Sequence, residues 1–172
     1  LVKQIGMHFK KESRMTIEIA QASIEHCAPI STMIGELLEE IATRADVQAF
    51  SFNREASCGL LQNFIADDNY VVFFTRDSSA NAYAGFVTLC ESRSIYAGGT
   101  FGTIPELYIR PAYRRRGIGR MLLDAARFHA EQRGWKRLEV TTPPLPAFDK
   151  TLAFYEREGF TITGGRKLKI SL

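Results

Sequence analysis

The stretch Glu106-Leu107-Tyr108-Ile109-Arg110-Pro111-Ala112-Tyr113-Arg114-Arg115-Arg116-Gly117-Ile118-Gly119-Arg120 decides the fold. It starts as an extended apolar segment, turns at Pro111, passes through three arginines and enters a helix between glycines. A strand, a basic turn and a helix start in that order form an anion site. The first backbone N–H groups of a helix have no partner within it and converge on one point, where the helix dipole favours negative charge. Gly117 and Gly119 carry no side chain that would hold a ligand off the backbone. The pattern predicts a cradle for a diphosphate.

Outward from this stretch, a strand is expected over residues 103–110 and a helix over about 117–133. Ile118, Met121, Leu122, Ala125 and Phe128 form the helix's inward face, and Gly134 closes it. Residues 135–141 read as a strand with Leu138 and Val140 on one face, so the helix is a crossover joining two parallel strands. Upstream, residues 16–21 alternate as a first strand. Pro29 suits the first turn of a helix with Ile30, Ile34, Leu37, Leu38 and Ile41 on one side. After a loop over 44–52, Asn53 is the expected N-cap of a second helix that buries Leu60, Leu61, Phe64 and Ile65 and ends at Asp67-Asp68-Asn69. Strands follow over 70–75 and 82–90, separated by a turn at 77–81, and Gly85 marks a bulge or a close backbone approach. Gly98, Gly99 and Gly102 read as loop. Downstream, Pro143, Pro144 and Pro146 forbid regular structure, and a helix over 148–158 is closed by Gly159. A hairpin is expected to pair 160–163 with 167–172 through Gly164-Gly165. The order β-α-α-β-β-β-α-β-α-β-β defines an α/β fold: one mixed sheet with helices on its faces.

The chain has 172 residues and a formal net charge of +3. That suits one domain, expected over residues 15–172, and the charge is too mild to imply nucleic acid. Residues 1–14 precede the patterned sequence and read as an N-terminal extension or a cloning remnant. No run is long and apolar enough to span a membrane, so no membrane partner is expected. Cys27, Cys58 and Cys90 form no C-x-x-C pair, and His8, His26 and His129 complete no metal-ligand spacing. No metal is expected, and the thiols read as free in a reducing cytoplasm. Gly117-x-Gly119 lacks the third glycine of a dinucleotide fingerprint, and no Gly-Lys-Ser/Thr follows it.

Arg114-Arg115-Arg116-Gly117-Ile118-Gly119 resembles the Gln/Arg-x-x-Gly-x-Gly/Ala signature of the GNAT superfamily of acyl-CoA-dependent N-acyltransferases. Glu106-Leu107-Tyr108-Ile109 with Pro111 is similar to that family's cofactor-binding strand, and Phe154-Tyr155-Glu156-Arg157-Glu158-Gly159-Phe160 to its late helix–strand junction. The resemblance covers roughly residues 16–172 and implies acetyl transfer from acetyl-CoA to a primary amine of a small molecule or a peptide, by direct attack through a tetrahedral intermediate.

It further implies that residues 114–119 hold the pyrophosphate on backbone amides, with Arg114, Arg115, Arg116 and Arg120 adding charge around Gly117, Ile118 and Gly119. Leu107, Tyr108 and Ile109 would pair with the pantetheine arm, and a backbone amide there would polarise the thioester carbonyl. Glu106 is the candidate general base and Tyr155 the candidate acid for the departing thiolate. The family's asparagine seven residues before this tyrosine is absent: Phe148 stands there, followed by Asp149. The acceptor pocket is expected among the first helices and the interstrand loops, with Asp46, Phe50, Phe52, Asp67, Asp68 and Phe101 as candidates. The resemblance leaves a homodimer open, and the alternative function is a non-catalytic acyl-CoA sensor.

Overall fold

The computed structural model describes residues 15–48, 50–163 and 167–170. Residues 1–14 of the expected extension and the Gly164-Gly165 turn of the expected hairpin lie outside them. Six strands form one sheet: β1 (Ile17–Gln21), β2 (Tyr70–Asp77), β3 (Ala82–Ser94), β4 (Gly99–Ile104), β5 (Leu107–Ile109) and β6 (Leu138–Val140). Four helices accompany them: α1 (Cys27–Ala45), α2 (Arg54–Ala66), α3 (Ile118–Gln132) and α4 (Asp149–Arg157). The sheet runs β1-β2-β3-β4-β6, antiparallel except for the β4–β6 pair, with β5 attached to β3 alone. The helix crossover does join parallel strands, as the sequence indicates.

Each face of the sheet has its own core. α3 and α4 cover one, where Val87, Leu89, Ile104, Ile118, Leu122, Leu123 and Tyr155 pack together. α1 and α2 cover the other, with Ile30, Met33, Leu61, Val72, Phe74, Phe86 and Tyr108. Burying one large apolar side chain stabilises a fold by about 1.5–3 kcal/mol, so these two clusters fix the helices on the sheet.

Local chemistry sets the element ends. Asn53 caps α2, its Oδ1 accepting from the Ala56 amide at 2.8 Å. Gly134 follows α3 at φ 68°, a left-handed conformation that suits glycine. Gly85 does mark a close approach: a Cβ there would sit 2.5 Å from the Tyr108 carbonyl oxygen.

Four expectations need correction. The segment over 103–110 is not one strand but β4 and β5, because the register against β3 slips by one residue between them. Cys90 pairs with Thr103, whereas Val87 pairs with Leu107. The glycines at 99 and 102 belong to β4. Gly102 is a strand residue because a Cβ there would lie 2.3 Å from the Trp135 ring. The inward faces of α2 and α3 are turned from those expected. Leu60, Phe64 and Phe128 are exposed, while Ala126 and Ala130 are buried and let α3 approach the sheet closely. Finally, residues 160–163 and 167–170 show no strand. Phe160 packs edge-on against Tyr155 instead, and Leu168 and Ile170 lie exposed without the sheet partner their alternation would need.

Candidate active site

β5 is the spine of the site. The amide of Thr88 donates to the Glu106 carbonyl and the amide of Arg110 to the Ala84 carbonyl, each at 2.9 Å. In an antiparallel pair, bonded and non-bonded residues alternate, so Leu107 and Ile109 turn their backbone groups away from β3. Among the described residues no strand lies on that side, because β6 pairs with β4 and its ladder stops at Ile104. β5 therefore presents a free strand edge beside the gap where β4 and β5 part. Side chains alternate with the backbone: Leu107 and Ile109 pack on the α3 face, and Tyr108 is buried on the α1 face.

That edge leads into the loop before α3. Arg115 (φ 62°) and Gly117 (φ 80°) are both left-handed, and this turns the chain into the helix. Among the described residues, the backbone amides from Arg115 to Arg120 have no hydrogen-bond acceptor, and the first helical bond comes from Met121 to the Gly117 carbonyl at 3.1 Å. A run of unpartnered amides at a helix start fits a polyanion. Space around Gly117 is open, as a ligand-facing position requires. Gly119 has a different duty from the one expected: a Cβ there would lie 3.0 Å from Phe154 Cζ, so its missing side chain makes room for α4.

The arginines divide. Arg115 and Arg116 are exposed, and Arg120 is held only loosely, 3.7 Å from Glu158. Arg114 has other partners than a phosphate. Its guanidinium holds Glu40 of α1 in a two-pronged ion pair, its Nε donates to the Ile109 carbonyl at 2.7 Å, and it lies over the Tyr108 ring. Burial raises the proton affinity of Glu40, but the hydrogen bonds from Arg114 and Arg44 outweigh it and hold the carboxyl below its ordinary range. One turn earlier, Arg110 grips Glu36 at 2.9 and 2.7 Å and donates to the Tyr83 carbonyl. These α1 acids escaped the sequence reading. Their signal is the matched spacing of Glu36 and Glu40 with Arg110 and Arg114.

Glu106 stands half-buried at the head of β5. One carboxylate oxygen, Oε2, accepts from the Tyr70 hydroxyl at 3.1 Å and from the Thr88 hydroxyl. Tyr155 is on the opposite face. Its ring is 5% exposed and packs between Phe154 and Phe160, each with its centroid 5.4 Å away. Burial alone pushes its hydroxyl well above the ordinary tyrosine range, so it keeps its proton at neutral pH. Among the described residues no buried side-chain oxygen lacks a partner, and none bonds the Tyr155 hydroxyl, so that hydroxyl retains access to solvent. Glu106 and Tyr155 thus lie on the two faces of the sheet, Tyr155 in the cluster that Leu107 and Ile109 pack against.

Other candidates are scattered. Phe148, at the position of the family's asparagine, is buried beneath the Arg44 guanidinium, 4.2 Å from its ring centre, while Asp149 is exposed at the start of α4. Phe50 and Phe52 line a groove of about 560 Å³ along α1. Asp46 is exposed, and Phe101 lies under Arg137 near the β3–β4 end. Asp68 binds Arg133. No group of metal ligands occurs among the described residues, and no helix is long and apolar enough to cross a membrane.

A strand edge without a strand partner among the described residues, leading to unpartnered helix-start amides, fits an acyltransferase fold. The particular family follows from comparison with known proteins. The family model described as the acetyltransferase (GNAT) domain matches residues 64–162, and the chain belongs to that family. No sequence among the curated proteins matches the chain. Among solved structures, a GCN5-related N-acetyltransferase from Ralstonia eutropha JMP134 shares 18% identity over 90% of this chain and 99% of its own, with a TM-score of 0.73. An aminoglycoside acetyltransferase from an uncultured soil metagenomic sample, solved with trehalose, shares 18% identity over 91% of this chain and 96% of its own, with a TM-score of 0.71. A ribosomal-protein-alanine N-acetyltransferase from Brucella melitensis biovar Abortus 2308 shares 17% identity over 91% of this chain and all of its own, with a TM-score of 0.65. At these identities the likeness is one of fold.

Proposed function

We propose that the protein transfers the acetyl group of acetyl-CoA to a primary amine of a small molecule or a peptide. The observation that carries this is the open edge of β5, followed after one tight helical turn at Pro111–Tyr113 by the unpartnered amides of residues 115–120. An extended pantetheine arm carries amide groups that can bond Leu107 and Ile109, as an added strand would. The diphosphate at its end then falls on the helix-start amides, with Arg115, Arg116 and Arg120 supplying charge. Arg114 stands outside this set, its amide bonded to the Pro111 carbonyl and its guanidinium to Glu40. Residues 15–172 act as a single domain, and the free thiols suit a reducing compartment such as the cytoplasm.

Chemistry follows from the two faces. A protonated amine arriving on the Glu106 side loses its proton to that carboxylate, directly or through water, and attacks the thioester carbonyl. An outward amide of β5 stabilises the oxyanion. Collapse of the tetrahedral intermediate expels the thiolate, which takes a proton from the Tyr155 hydroxyl, while the acylated nitrogen gives up its second proton to solvent and solvent reprotonates the phenolate. The two structural neighbours named for an aminoglycoside and for a ribosomal-protein alanine both imply amine acceptors, which supports that class here.

Thiol release from acetyl-CoA across a panel of aminoglycosides, polyamines and lysine peptides tests the proposal. Turnover is expected on at least one class. Tyr155→Phe should leave acetyl-CoA affinity intact and slow turnover roughly a hundredfold; an unchanged rate would remove Tyr155 from the mechanism.

A further inference from the structure

Glu106 is held by more than its place on β5. Tyr70 opens β2 and Thr88 lies in the buried centre of β3, and both hydroxyls converge on the same oxygen, Oε2. Thr88 is fully buried, and its Oγ1 also accepts from the Glu106 amide at 2.9 Å, so one side chain fixes both the backbone and the carboxylate of this residue. Tyr70 is braced in turn by the Phe64 ring of α2, 5.1 Å away. Burial, and then the negative charge of Glu106, push the Tyr70 hydroxyl above the ordinary tyrosine range, so it stays a donor at neutral pH. The second oxygen, Oε1, has no partner among the described residues. The carboxylate is therefore fastened at one oxygen and open at the other.

We infer that Tyr70 and Thr88 are positioning residues that fasten Glu106 through Oε2 and leave Oε1 to receive the proton of the incoming amine. This rests on Glu106 being the base of the proposed reaction. A carboxylate on a glutamate stem has three rotatable bonds, and fixing one oxygen removes most of the misdirected conformers before the substrate arrives. The amine proton then moves to Oε1 while the two hydroxyls keep their own protons, so the network positions and does not relay.

The experiment is a double-mutant cycle on the full chain, with acetyl-CoA and whichever panel amine is turned over. Glu106→Gln should lower kcat roughly a hundredfold. Tyr70→Phe and Thr88→Val should each lower kcat about tenfold with KM for acetyl-CoA unchanged, and Thr88→Ser should restore the rate. In the Glu106→Gln background, Tyr70→Phe should change kcat by less than about twofold, because its partner is gone. If Glu106→Gln slows the enzyme while Tyr70→Phe either has no effect or slows both backgrounds alike, the positioning role is wrong and the base assignment stands. A full rate for Glu106→Gln, or no turnover on any amine, overturns the base assignment and the positioning role with it. Should Thr88→Val fail to fold, the Tyr70→Phe arm decides alone.

Discussion

Arg110 and Arg114 belong to the same run as Arg115, Arg116 and Arg120, yet the two sets do opposite work. The first pair is tied down: Arg110 to Glu36 at 2.7 Å and Arg114 to Glu40, both on α1. The others face solvent around the helix start, Arg120 being 72% exposed. Residue type does not separate them; spacing does. Glu36 and Glu40 are one helical turn apart and meet arginines four residues apart on the chain leaving β5. A basic run therefore overstates its own phosphate-binding capacity. The paired arginines clamp α1 onto the chain leaving β5, and the amides of 115–120 stay without a partner among the described residues.

The largest effect expected is at the amides. Gly117→Val forces a branched residue into a left-handed conformation, at about 1–2 kcal/mol, and tilts the amides that follow. Acetyl-CoA binding should vanish in calorimetry at millimolar ligand, and retained micromolar affinity would sink the cradle. Next comes the clamp. Glu40→Gln leaves Arg114 without its ion pair; with Arg114 37% exposed, the screened loss is about 1 kcal/mol, read as a fall in Tm of roughly 2–4 °C.

This loss has a pH signature. Glu40 in the folded chain titrates below its ordinary 4.5, so its contribution is fully present above that pH and disappears as pH falls through the lower folded value. The gap between wild type and Glu40→Gln in thermal melts should narrow as pH falls below the ordinary carboxylate range; a constant gap would mean that the ion pair is not its source.

A smaller change separates the two arginine sets directly. Arg115→Ala with Arg116→Ala should leave Tm unmoved and weaken acetyl-CoA several-fold at low salt, with the difference shrinking as salt rises. Arg114→Ala should do the reverse, lowering Tm more than affinity. If Arg114→Ala proves the worse binder, the division is wrong. Smallest of all is Gly119→Ala, whose methyl meets the Phe154 ring and the end of the Ile109 side chain: a stability change within about 1 kcal/mol and unaltered binding are expected.

Much of the fold was legible because local signals and tertiary packing agree. Asn53, Gly134 and the crossover helix are cases where capping, left-handed glycine and strand pairing each act over a few residues. Gly102 misled because glycine marks a loop only when nothing needs the space, and here Trp135 does. The α3 face was misjudged because Ala126 and Ala130 carry little apolar weight in sequence but permit close approach, whereas Phe128 is large and exposed. In the site, Glu106, Tyr155 and the amide run could be read along the chain. Tyr70, Thr88, Glu36 and Glu40 could not, since each meets its partner across more than a dozen residues of sequence. Their clue was weak: a threonine at an inward position of an otherwise apolar strand, and acids spaced to match arginines.

The one-residue slip between β4 and β5 has a consequence for symmetry. Ile104, Leu107 and Ile109 all pack on the α3 face, although 104 and 107 are an odd number of residues apart. The extra residue near Pro105 acts as a parity change: before it, even-numbered side chains face α3; after it, odd-numbered ones do. Deleting that single residue would restore an unbroken alternation, with Glu106 directly after Ile104 and still opposite Thr88. What the extra residue supplies is the local break at which β5 parts from β4 and β6. One residue's worth of chain thus separates a strand that carries β6 from a strand whose outer edge has no strand partner among the described residues.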